Sequence, residues 1–88
     1  MAIEGRGLET VRLRIEDVYI PARRRKDLDP EKVEALAESI LEHGLQTPIS
    51  VRQDGERLVL VTGLHRLEAC RYLGEELIDA LIVRARQF

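Results

Sequence analysis

A chain of 88 residues with 44% hydrophobic and 34% charged residues is long enough for one buried core, too short for two, and too apolar to stay disordered. Its formal net charge of −2 supplies no global positive field for nucleic acid, and Tyr19, Tyr72 and Phe88 are too few aromatics for a base-stacking platform. No apolar run approaches the roughly 18–20 residues of a membrane span, no basic-then-apolar signal segment opens the chain, and the single cysteine cannot form an internal disulfide, so a reducing cytoplasm is the expected location.

Residues 1–7 contain Ile3-Glu4-Gly5-Arg6, which matches the recognition site of a tag-removal protease. They are expected to be a tag remnant or disordered and are set apart from the domain, residues 8–88. From Thr10 to Ile15, apolar Val11, Leu13 and Ile15 alternate with Arg12 and Arg14, the pattern of a half-buried strand. A short extended segment, Val18 to Ile20, ends at Pro21. Residues 22–28, with Arg23, Arg24, Arg25 and Lys26, form a basic loop. Such a run is ordinarily a solvated segment. The functional alternative is that one of these arginines, with Arg23 or Arg25 as the candidates, closes over an anion as a bidentate ligand.

Asp29 as N-cap and Pro30 at the first helical position open a helix. Val33, Leu36, Ala37, Ile40 and Leu41 form its apolar stripe, Gly44 stops it, and Leu45 is placed to meet Ile40 beyond the cap. Its acidic face is explained by solubility, although Glu38 or Glu42 near a ligand could hold a metal ion. Thr47-Pro48 leads into a strand, Ile49 to Gln53. Asp54-Gly55 then predicts a type I′ hairpin, and Arg57 to Val61 returns as a central strand covered on both faces. A second helix runs from Leu64 to Leu73 and stops at Gly74, with Leu64, Leu67, Ala69, Cys70 and Leu73 on its apolar side. Cys70 is expected to be a small core residue rather than a nucleophile. Leu77 to Val83 is the last strand. The order strand, helix, strand, strand, helix, strand predicts an α+β domain, two helices packed on a small mixed sheet.

The corner Thr62-Gly63-Leu64-His65-Arg66 organises this plan. A helix N-terminus carries about half a positive charge, which disfavours cations in its first turn. His65 and Arg66 at that end make electrostatic sense if an anion sits between them, and free N–H groups at a helix start bind phosphate readily. Gly63, lacking Cβ, would let a ligand approach the main chain. Arg66 falls on the core side of the wheel, where a charge needs a partner, and an anion would supply one. The plain alternative is a strand-to-helix corner carrying two solvated basic residues.

These residues resemble the N-terminal domain shared by ParB partition proteins and sulfiredoxin. His43-Gly44-Leu45-Gln46-Thr47-Pro48-Ile49 is similar to the first conserved box of ParB-like domains. Thr62-Gly63-Leu64-His65-Arg66-Leu67-Glu68-Ala69 resembles the second, usually a Gly-Glu-Arg-Arg-type sequence. The resemblance covers roughly residues 10 to 83. It implies a ParB/sulfiredoxin-like fold and a nucleoside triphosphate ligand, CTP as in ParB proteins or ATP as in sulfiredoxins and free serine kinases, with Mg2+ as companion. Carried over, the phosphate cradle comprises Thr62, Gly63, Leu64, His65 and Arg66, with Thr47 standing where glutamine is usual. Leu64 replaces the catalytic cysteine of the sulfiredoxin Gly-Cys-His-Arg box, so reductase chemistry is not implied. Against the serine kinases' Asp-Gly-His-His-Arg, Thr62 replaces Asp and Leu64 the first His, so the resemblance does not carry their metal and base arrangement over.

Three functions follow as expectations. The first is a nucleotide-binding ParB-like domain of a plasmid or chromosome partition protein, or of a related DNA-associated protein, homodimerising with its ligand. DNA would be reached through a longer parent protein, because the helix-turn-helix region that reads DNA in ParB proteins lies outside these residues. The alternative is an enzyme, an ATP-dependent phosphotransferase, NTPase or ParB-like nuclease, with His65 as candidate acid or base and Glu42 or Glu68 as candidate metal ligands. The third, direct DNA binding through Arg12, Arg14 and the 23–26 run, is disfavoured by the acidic balance. No membrane partner is expected.

Overall fold

The computed structural model describes residues 8–45 and 47–83. Residues 1–7, expected to be a tag remnant or disordered, lie outside the described residues. Strand β1 (Leu8–Arg14) is followed by a 3-10 turn (Ile15–Asp17) and by β2 (Val18–Tyr19). Helix α1 (Ala22–Arg25) and helix α2 (Pro30–His43) come next. The hairpin β3 (Ile49–Asp54) and β4 (Arg57–Thr62) delivers the chain to α3 (Leu64–Tyr72), and β5 (Leu77–Val83) completes the sheet. The five strands lie in the order β1-β5-β3-β4-β2. β1 with β5 and β3 with β4 are antiparallel, whereas β3 with β5 and β2 with β4 are parallel. The predicted mixed sheet is therefore present, with a third helix of one turn in place of the basic loop.

Alternation along the strands sends Val11 and Leu13, Ile49 and Val51, Leu58 and Leu60, and Ile78, Ala80 and Ile82 to one face. There they pack against Leu64, Leu67 and Cys70 of α3. Leu67 and Ile49, both at 0% exposure, mark the centre of this core. The opposite side of α3 presents Ala69 and Leu73 to Val33, Leu36, Ala37 and Ile40 of α2. Thus α3 is apolar on two sides, one toward the sheet and one toward α2, while α2 rests mainly on α3.

The caps of α2 behave as the sequence predicts. The Asp29 carboxylate accepts a hydrogen bond from the Glu31 N–H, Pro30 occupies the first turn, and the Gly44 N–H, at φ +80°, donates to the Ile40 carbonyl. Two local expectations are corrected. Leu41 is 76% exposed, because the buried stripe follows Val33, Ala37 and Ile40 and leaves Leu41 on its far edge. In the hairpin, Asp54 pairs with Arg57, so the two central residues are Gly55 and Glu56. Gly55 alone has positive φ, +64°, which is the pattern of type II′ rather than I′. Among the described residues no helix is long and apolar enough to cross a membrane.

Candidate functional site

The β4–α3 corner is built by a glycine. Gly63 has φ +104° and serves as the N-cap of α3 without any capping side chain. A Cβ there would lie 2.7 Å from Cγ2 of Ile49 and 3.2 Å from its Cα. The space freed by the missing side chain is therefore filled by the core, and glycine is required by the fold before any ligand is considered. The first hydrogen bond within α3 runs from the Leu67 N–H to the Gly63 carbonyl, 2.8 Å. The N–H groups of Leu64, His65 and Arg66 precede it and have no acceptor within the helix, and no acidic residue occupies the first turn.

Around these donors lies a cleft of about 260 Å³, lined by Arg24, Asp27, Leu36, Gly63, Leu64, His65 and Arg66. Leu64 is buried beneath it, and Arg24, His65 and Arg66 are half-buried. Both guanidinium groups are anchored to main-chain oxygens. Arg66 Nη1 donates to the carbonyls of Thr47, 3.0 Å, and Pro48, 2.6 Å. Arg24 Nη1 donates to the Val61 carbonyl, 2.7 Å, beyond the point where β2 stops pairing with β4. The partner that the core-side placement of Arg66 calls for is thus supplied in the first place by two main-chain carbonyls rather than by an anion. One nitrogen of each fork is held, which fixes its direction and leaves the other N–H groups to point elsewhere. The ring of His65 accepts at Nε2 from the Asp29 N–H, 3.0 Å.

Gly63, Leu64, His65 and Arg66 therefore meet at one cleft. Thr47 enters only through its carbonyl, and Thr62 is the exposed end of β4. Of the three consecutive arginines, Arg24 lines the cleft. Arg23 is exposed on α1, and Arg25 turns back to donate from Nε to the Ile20 carbonyl at 3.4 Å. The sequence offers the arginine run as a whole without singling out Arg24, and gives no signal for Asp27. A run of arginines carries no periodic signal that singles out one member.

The metal candidates do not converge. Glu68 pairs with Arg71 at 3.3 Å, Glu42 is exposed and 4.0 Å from His43, and neither lines the cleft. Among the described residues, no group of three His, Cys, Asp or Glu side chains is arranged to hold a metal ion. Cys70 is buried on α3, and its thiol is pushed up from the ordinary value by desolvation, then by the charges of Glu75 and Asp79. With leucine at position 64 and a protonated, buried thiol at 70, the corner presents no thiolate. A second depression of about 500 Å³, which includes Ile40, Cys70, Glu75 and Glu76 in its lining, has its arginine, Arg12, tied to Asp79 at 3.2 Å. It gathers no comparable set of donors.

The family described as the ParB N-terminal domain matches residues 2–87. A probable chromosome-partitioning protein ParB of Pseudomonas putida is 41% identical over 59 residues, 66% of this chain and 20% of that protein. The chain thus spans about a fifth of that relative's length. The crystal structure of sulfiredoxin from Arabidopsis thaliana superposes with TM-score 0.78 and 34% identity, covering 88% of this chain and 86% of that one. The C-terminally truncated ParB from Caulobacter crescentus, complexed with CTP-gamma-S, superposes with TM-score 0.75 and 24% identity over 90% of this chain and 46% of that one.

Proposed function

This chain belongs to the ParB N-terminal domain family, and from that premise we propose that its β4–α3 corner binds the phosphates of a nucleoside triphosphate. The observation that carries the reading is the convergence of unlike donors on one cleft. Three main-chain N–H groups at the start of α3 and the forks of Arg24 and Arg66 border the same space. The Coulomb cost of cations beside a positive helix end is offset when an anion lies between them. At about 260 Å³ the cleft falls below the roughly 300–1,000 Å³ of sites that enclose a whole ligand. It suits phosphate groups, with the nucleoside lying across its mouth.

Thr62 and the Thr47 segment border that mouth in this reading, and Arg23 and Arg25 add positive potential from α1 without direct contact. A magnesium ion would arrive on the phosphates and keep most of its water, as such sites commonly allow, rather than rest on Glu42 or Glu68. CTP is the nucleotide to test first, because the ParB neighbour from Caulobacter crescentus is complexed with CTP-gamma-S. The parent protein acts in partition of DNA, with this module as its ligand-responsive part and dimerisation as the response.

Isothermal titration with CTP, ATP, GTP and inorganic triphosphate, each with magnesium, tests the reading. Binding of at least one nucleotide is expected. Arg24→Ala should weaken it about ten- to a hundredfold and Arg23→Ala should leave it nearly unchanged, as the loss of one charge-assisted contact predicts. No heat from any of the four would refute it. Phosphate release measured on the same samples separates binding from turnover, with His65→Ala as the variant that should lose turnover if the corner is catalytic.

A further inference from the structure

We infer that Asp29 is a positioning residue for this corner: its main-chain N–H holds His65 as a neutral ring protonated on Nδ1, so that the bound anion meets His65 through Nδ1–H. The inference rests on the anion-binding reading above. A main-chain N–H can only donate, and the Asp29 N–H reaches His65 Nε2 at 3.0 Å. Nε2 must therefore offer its lone pair, and a neutral imidazole with a bare Nε2 carries its proton on Nδ1. An imidazolium has no lone pair to give and would break this bond.

Asp29 is itself held at three points. Its carboxylate accepts from the Glu31 N–H at 3.0 Å, its carbonyl accepts from the Val33 N–H at 3.1 Å, and its own N–H is committed to His65. As the N-cap of α2 it has no intrahelical acceptor for that N–H, so the imidazole supplies one. The start of α2 thereby sets the orientation of a side chain in the first turn of α3. A neutral ring also avoids a full positive charge beside the helix N-terminus. Charge neutralisation is left to Arg24 and Arg66, and directional donation to Nδ1–H.

The test is nitrogen-15 NMR of the histidine rings at mildly alkaline pH, with the two histidines, His43 and His65, assigned by His43→Gln. Spectra are recorded for the free protein, with CTP and magnesium, and with pyrophosphate. The expected result is a bare Nε2 and a protonated Nδ1 in all three, with the Nδ1 resonance moving on binding. His65→Gln keeps an acceptor at the reach of Nε2 but has no donor at the place of Nδ1. It should retain the slow exchange of the Asp29 amide and lose about ten- to a hundredfold in affinity. A merely structural His65 would leave that affinity unchanged, which would overturn the inference. So would a proton on Nε2 or a doubly protonated ring in the bound state. Absence of all binding, with Nδ1–H intact, would instead refute the anion-binding reading and the ligand half of this inference with it.

Discussion

Replacing Gly63 by alanine probes the corner most directly, because two separable costs fall on one atom. The backbone at φ +104° is a conformation that costs an L-residue about 1–2 kcal/mol. The new Cβ would also lie 2.7 Å from Ile49 Cγ2 and 3.0 Å from its Cβ, and Ile49 is fully buried between strands and α3. Forcing extra volume into such a core costs about 1–3 kcal/mol. Together these give about 2–5 kcal/mol, a large part of the about 4–13 kcal/mol that a domain of this size commands. With an m of about 1–2 kcal/mol/M in urea, the unfolding midpoint should fall by at least about 1 M. A double-mutant cycle with Ile49→Ala, followed by circular dichroism in urea, isolates the packing share. In the Ile49→Ala background the Gly63→Ala penalty should shrink by part of that about 1–3 kcal/mol, since Cγ2 is gone while Cβ and Cα remain. A Gly63→Ala cost below about 0.5 kcal/mol, or an equal cost in both backgrounds, would refute the reasoning.

Arg66→Ala removes the donor to the Thr47 and Pro48 carbonyls, so it should lower stability by about 1–3 kcal/mol by thermal unfolding even without ligand. Arg66→Lys should recover only part of that, because the lysine side chain ends one atom short of the position of Nη1, which makes both bonds. Asp29→Ala removes the side-chain acceptor for the Glu31 N–H and should cost about 1 kcal/mol in urea unfolding, while the Asp29 N–H and its bond to His65 remain. For Cys70, whose thiol is raised by burial and by Glu75 and Asp79, the folded state keeps its proton where the unfolded state loses it. Stability should therefore be fully present below the ordinary thiol value of about 8.5 and decline as pH rises above it. Cys70→Ala should flatten that alkaline limb, and thiol labelling of the native protein should be much slower than in urea.

The two long helices were legible because their signals are local. Asp29 and Pro30 open α2, Gly44 closes it, and apolar residues recur at helical spacing in between. The hairpin position was legible for the same reason, but the turn type was not, because strand pairing extends through Asp54 and shifts Gly55 to the first central position. The single turn of α1 has no capping side chain and no apolar stripe, so nothing in its composition separates it from a loop. At the site, the box around Gly63 was readable, whereas the partners of its side chains were not. Arg66 meets carbonyls that lie 18 and 19 positions earlier, Arg24 meets one 37 positions later, and His65 meets an amide 36 positions earlier. Such contacts are set by how the sheet and helices stack, and which of three neighbouring arginines turns toward the cleft depends on that stacking too.

The pairing of Leu8 with Val83 has a consequence for how the domain is made. Among the described strands β1 leaves the ribosome first, yet its neighbour in the sheet, β5, is translated after the other four. At roughly 5–20 residues per second, β1 waits several seconds with Val11 and Leu13 unsheltered. Closing so wide a loop carries an entropic cost that local pairs such as β3 and β4 escape. Nascent chains of this family member should thus acquire their central hairpin early and zip their outer edge only after the last strand has cleared the exit tunnel.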